Sequence, residues 1–159
     1  MIAELARRGY PTIPEAARQL IDESLQNNGP TAQELREGRE GENDFRRAVL
    51  VRKVLHHLSA ITAPDSLPTF FDRGLLDDRA FQQCLNIPPP SAVELAFIKS
   101  VRYRGAFILD RLPFQEDYAR TEPDEFGNIF SGQVHQVYQD FGIPVTRVAV
   151  MPVSDRVDH

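Results

Sequence analysis

The tripeptide Asp72-Arg73-Gly74 follows the apolar run Thr69-Phe70-Phe71 without a break. A carboxylate at the end of a buried strand has two chemical uses: it holds Mg²⁺ through water, or it takes a proton from a substrate hydroxyl. The adjacent guanidinium suits a phosphate, and the glycine lets the backbone turn sharply beside a ligand. The same residues also suit a plainer role, an Asp that caps the turn beside an Arg ion pair. Glu15 and Arg18 are a second pair. Three positions apart on a helix, they share a face, so Glu15 can meet substrate or metal while Arg18 pairs with it or with phosphate. A helix dipole also favours an acidic residue at that position with no ligand involved. Arg111, Glu116, Asp117, Arg120 and Glu122 crowd one polar stretch. A mobile segment of that kind can bring an Arg to the charge that develops during phosphoryl transfer, and it is equally an ordinary solvated loop.

Other reactive side chains point to less. His56 and His57 are neighbours on a helix and project about 100° apart, so they do not share one ion easily. They read as helix-surface residues. Cys84, the only cysteine, reads as a small core residue. One cysteine excludes an intrachain disulfide and a thiolate metal cluster. It fits a reducing, cytoplasmic setting.

The elements that must carry these residues alternate between helices and short apolar strands. The stretch Met1–Arg8 reads as the last turns of a helix stopped at Gly9, and Thr12-Ile13 as a short extended run. Pro14 opens a helix with Ala16, Ala17, Leu20, Ile21 and Leu25 on one face. Thr31 with Glu34 and Ser91 with Glu94 have capping-box spacing. Residues 38–43 read as a charged loop. A helix from Asp44 to about Ser59 presents Phe45, Ala48, Val49, Leu55 and Leu58 as its apolar face. Asp77 is placed to cap a helix running to Cys84. Strands follow at 105–110 and 145–150, separated by a long helix from Asp124 that stops at Gly142. Pro152 starts a final helix. Such alternation predicts an α/β fold, a parallel sheet with helices on both faces. Ligands bind at the C-terminal ends of strands in sheets of that kind, where Asp72-Arg73 and Asp110-Arg111 fall.

Bulk properties narrow the partners. The 159 residues fit one domain, 1–159, and 42% hydrophobic residues can build a core. The net charge of −5 argues against nucleic acid or an anionic membrane as the main partner. No run approaches the roughly 18 apolar residues of a membrane span. Sixteen of the 18 basic residues are Arg, whose planar fork suits phosphate and carboxylate. Yet neither Lys53 nor Lys99 completes G-x-x-x-x-G-K-[ST], the loop that cradles phosphates.

Three stretches together resemble a known family. They are Gly9-Tyr10-Pro11-Thr12-Ile13-Pro14-Glu15-Ala16-Ala17-Arg18, Phe70-Phe71-Asp72-Arg73-Gly74-Leu75-Leu76-Asp77, and a closing set at 117–120, 138–145 and 152–157. The chain resembles the AAA/P-loop ATPase-like domains related to the nicotinamide riboside kinase domain of bacterial NAD regulators. The resemblance implies a P-loop kinase-like fold that uses ATP and Mg²⁺. It implies that Asp72 is the catalytic or Mg²⁺-associated carboxylate, with Arg73 its neighbour. Glu15 and Arg18 would lie near substrate, and Arg120 would act from a lid. In that family a first, central strand and the phosphate-binding loop precede the helix that ends near Gly9. The expectation is therefore an N-terminally truncated P-loop NTPase-like domain.

Three functions remain open on these grounds. The first is an ATPase or small-molecule kinase, complete only with the upstream loop, whose partners are a nucleotide and an unknown phosphate acceptor. The second is a non-catalytic nucleotide-binding or protein-interaction module. The third is a plain α/β domain.

Overall fold

A computed structural model of the chain describes residues 1–61, 67–86, 91–110 and 124–158. The described residues divide into two compact units, the first Met1–Gly74 and the second built from Leu75 onward. In chain order the first unit holds α1 (Ile2–Arg7), β1 (Thr12–Ile13), α2 (Ala16–Gln26), α3 (Ala32–Leu35), α4 (Gly38–Ile61) and β2 (Phe70–Phe71). The second holds α5 (Leu75–Cys84), α6 (Ala92–Ser100), β3 (Ala106–Leu109), α7 (Asp124–Asp140), β4 (Val145–Val148) and α8 (Val153–Asp158).

Local signals end these helices where the residue types require. After α1, Gly9 takes φ 87 and the Tyr10 N–H reaches back to the Leu5 carbonyl at 3.1 Å. After α7, Gly142 takes φ 70 and the Ile143 N–H reaches the Tyr138 carbonyl at 3.0 Å. Both are left-handed helix stops of the Schellman kind, which glycine adopts without a Cβ penalty. The two capping boxes form as spaced, Thr31 with Glu34 on α3 and Ser91 with Glu94 on α6.

In the first unit β1 and β2 run parallel, Thr12 opposite Phe70 and Ile13 opposite Phe71. In the second, β3 and β4 run parallel from Ala106–Val145 to Leu109–Val148. The parallel direction is the one that the alternation predicts. Among the described residues the strands form two separate pairs, not one wide sheet with helices on both faces. No described helix is long and apolar enough to cross a membrane.

The first unit's core joins α2, α3 and α4 through Ala16, Ile21, Ala32, Phe45 and Val49. Here α4 departs from expectation twice. It begins at Gly38, so 38–43 is helix and not loop. Glu42 holds it, pairing with Arg36 at 2.7 Å and with Arg46 one turn on at 2.6 Å. The buried face also differs. Phe45, Val49, Lys53 and His57, spaced by four, turn inward. Leu55 and Leu58 are 55% and 48% exposed. Apolar spacing placed Phe45 and Val49 correctly but failed beyond them, because two polar residues continue the core stripe where Leu55 and Leu58 were expected.

In the second unit Phe81 of α5 stacks on Phe126 of α7 and packs at a tilt against Phe130, with centroids 5.7 and 4.0 Å away. The α5 helix starts at Leu75, ahead of Asp77, so Asp77 lies in its first turn and does not cap it. Tyr103 supplies the cap: its hydroxyl accepts from the Leu75 N–H at 2.8 Å. Burial pushes the Tyr103 and Tyr138 phenols up, and nearby Asp77 pushes the same way. Both phenols therefore keep their protons.

The face assignment of α4 is testable. Val49→Ala deletes two buried methyl groups and should lower the unfolding free energy by about 2 kcal/mol. Leu55→Ala on the same helix should change it by less than about 0.5 kcal/mol. Urea denaturation of both variants measures this, and a comparable loss in each contradicts the assigned face.

Candidate functional site

The residues with chemical potential in the first unit gather at the C-terminal ends of β1 and β2. The parallel ladder brings them there. The Asp72 N–H donates to the Ile13 carbonyl at 2.8 Å, so the pairing runs one residue past β2. That bond places the Asp72-Arg73-Gly74 turn beside Pro14-Glu15, where α2 begins.

Glu15 is the residue before the first helical position of α2, with an extended ψ of 120, and its side chain caps nothing. The helix thus opens two residues after Pro14. Glu15 instead pairs with Arg73, 2.8 Å between Arg73 Nε and Glu15 Oε1. Spacing offered Arg18 as a partner for Glu15 or for phosphate; the ladder adds Arg73, from the turn after β2, as a partner that helix spacing could not show. Arg18 lies in the first turn of α2, near enough to favour the ionised form of Asp72.

The sharp turn also differs from expectation. Arg73 itself takes the left-handed backbone, φ 65. A non-glycine residue in that region carries steric strain, so surrounding contacts must hold it there. Gly74 contributes its carbonyl oxygen, which accepts from Lys53 Nζ at 3.0 Å. Lys53 is 4% exposed. His57, one turn further along α4, is also 4% exposed and stacks on Phe71, with centroids 4.3 Å apart and ring planes at 20°. The reading of His57 as a helix-surface residue is therefore wrong: its ring is core. Burial lowers its tendency to take up a proton, and the Lys53 carbonyl opposes this through a hydrogen bond to Nδ1. Sequence reasoning missed both residues. Their signal was the four-residue step Phe45, Val49, Lys53, His57, visible only if polar residues are allowed inside.

Asp72 keeps contact with solvent, yet the protein atoms around it remove part of its hydration. That desolvation raises its carboxyl above the ordinary 3.8, and the Glu15 carboxylate raises it further. Arg73 and Arg18 pull the other way. The result is a solvent-reachable carboxylate of enhanced basicity, flanked by a carboxylate and two guanidinium groups. Such a group can accept a proton or share a hydrated divalent cation. No three His, Cys, Asp or Glu side chains among the described residues could hold a metal by themselves. A cation here would need water or phosphate oxygens as further ligands. Arg120, Asp117 and the remaining charged residues of 111–123 lie outside the described residues.

In comparison with known proteins, a family model described as an AAA domain matches residues 1–156. No curated protein and no solved structure shows a match.

The raised carboxyl has a consequence for stability. As pH rises, Asp72 ionises first in the unfolded chain and only later in the folded one. Over that interval the folded state binds more protons, so stability falls as pH rises, and the penalty stays in place at neutral pH. Asp72→Asn should therefore raise the thermal midpoint at pH 7. The gain should vanish near pH 3, where Asp72 is protonated in both states. Thermal melts at the two pH values check this, and an unchanged midpoint at pH 7 would show that Asp72 is not held at a cost.

Proposed function

The chain belongs to the AAA domain family, and from that membership we propose that it serves Mg²⁺-dependent ATP binding with phosphoryl transfer or hydrolysis. The observation that carries the proposal is the solvent-reachable Asp72 at a parallel strand end, its carboxyl raised, beside the Glu15–Arg73 ion pair. In this reading Asp72 takes the proton of the attacking hydroxyl or water, or holds a hydrated cation. Glu15 keeps Arg73 extended along the strand ends, where its guanidinium meets phosphate oxygens. Arg18 adds a second positive group, and Arg120 is the candidate for a lid. Mg²⁺, when bound, would be held through water by Asp72 and would supply charge neutralisation for the transferring group.

A phosphate-binding loop is a further requirement of this chemistry, and 1–159 contains no G-x-x-x-x-G-K-[ST]. We assign that loop to an upstream segment that also adds the central strand of a P-loop kinase-like sheet. The proposed partners are a nucleotide and a small hydroxyl-bearing acceptor, as the likeness to nicotinamide riboside kinase domains implies. Nucleic acid and membrane are not among them, and the proposed location is the cytoplasm.

Calorimetric titration with Mg-ATP tests the proposal on two forms, this chain and one extended upstream by about 25–35 residues, enough for a strand and loop. The extended form should bind and turn over. Asp72→Asn within it should abolish turnover while leaving the circular dichroism spectrum unchanged. Full turnover by that variant removes Asp72 from the mechanism. Absence of binding by the extended form supports a protein-interaction module instead.

A further inference from the structure

Two polar residues on the buried face of α4 converge on the Asp72-Arg73-Gly74 turn. Lys53 Nζ donates to the Gly74 carbonyl at 3.0 Å, closing the turn at its last residue. The His57 ring lies flat on Phe71, the residue before the turn. Its Nδ1 sits 2.7 Å from the Lys53 carbonyl oxygen, a contact in which a protonated Nδ1 donates. That bond fixes the ring plane against Phe71. The turn is thus gripped on both flanks from one helix, and Glu15 holds Arg73 between them. Without such grips the left-handed Arg73 would relax, since a non-glycine residue returns from that region when its surroundings permit.

We infer that Lys53 and His57 are positioning residues that set the Asp72-Arg73-Gly74 turn and so hold the Asp72 carboxylate at the ends of β1 and β2. The inference takes its functional meaning from the reading of Asp72 as the working carboxylate, but its test does not use nucleotide. A solvated, ill-fitting lysine would not need burial in the core; here its amino group finds its acceptor on the turn itself. A core of leucines at 53 and 57 would pack as well, but it would leave the Gly74 carbonyl without this donor and the plane of the ring on Phe71 unset.

The experiment is a carbon-13 NMR titration of the Asp72 carboxyl in the whole nucleotide-free chain, with amide shifts of 72–74 recorded alongside. Three variants are compared with the parent: Lys53→Met, His57→Ala and His57→Phe. Loosening the turn rehydrates Asp72, so its midpoint should shift downward, toward the ordinary carboxylate range, in Lys53→Met and His57→Ala. Loss of a nearby positive group alone would shift it upward, so the direction separates positioning from simple charge. His57→Phe keeps a ring on Phe71 but loses the Nδ1 bond that sets its plane, so its midpoint should fall between those of the parent and His57→Ala. An unchanged midpoint with unchanged amide shifts in Lys53→Met and His57→Ala overturns the inference, and so does an upward shift in Lys53→Met. Should Lys53→Met fail to fold, the two His57 variants decide: different midpoints support the inference, and equal ones overturn it. A failure of Mg-ATP binding or turnover in the extended form leaves these titrations unaffected.

Discussion

A lysine amino group taken out of water must meet an acceptor, or its burial costs more than most domains can spare. Lys53 meets the Gly74 carbonyl, and that bond joins α4 to the turn after β2. It sets the rotation of α4, because Lys53 can face inward only if Phe45, Val49 and His57 do so too. The same rotation turns Leu55 and Leu58 to solvent. It also ties the helix to the strand end, so that Phe71 lies under His57 and the following turn is held in a strained conformation. The parallel ladder then brings Glu15 to Arg73. A single buried donor thus connects helix register, strand placement and the geometry at the strand ends.

The charges at those ends oppose one another. Asp72 and Glu15 are like charges, and Arg73 and Arg18 only partly offset them at Asp72. A chain shaped for stability alone would leave Asp72 fully hydrated or replace it with a neutral residue. Carboxyls that stay raised while reachable by solvent are concentrated at sites that move protons or bind cations. Strain at Arg73 and desolvation at Asp72 fall on adjacent residues, which is where a functional reading and a packing reading make different demands on the chain.

Sequence reasoning recovered what local chemistry dictates. Gly9 and Gly142 end helices because φ above zero is open to glycine, and the Thr31–Glu34 and Ser91–Glu94 boxes close on their own spacing. The short apolar bursts became parallel strands, and Asp72 fell at the end of one. What was missed depends on partners far along the chain. The inward face of α4 is set by an acceptor 21 residues beyond Lys53, so apolar periodicity favoured Leu55 and Leu58. The left-handed residue is Arg73, with its charge held by Glu15 from another element, although glycine stands next to it. Helix spacing could relate Glu15 only to Arg18, whereas sheet register also brings Arg73 to Glu15. The link to a nucleotide-binding family was legible only because the turn and the Glu15–Arg18 segment occur in the right order.

The cap on α5 has a bearing on the order in which the chain assembles. The residue before Leu75 is a glycine and offers no side chain, so the first amide of α5 waits for a hydroxyl 28 positions later. Closing a flexible loop of that length costs about 3 kcal/mol of chain entropy. The helices α3 and α6 carry their caps within three residues, so those bonds need no such closure. The bond that caps α5 therefore depends on Tyr103 being in place, and the helix's own residues cannot supply it. Ribosomal synthesis imposes the same dependence, since Leu75 leaves the exit tunnel well ahead of the tyrosine that completes it.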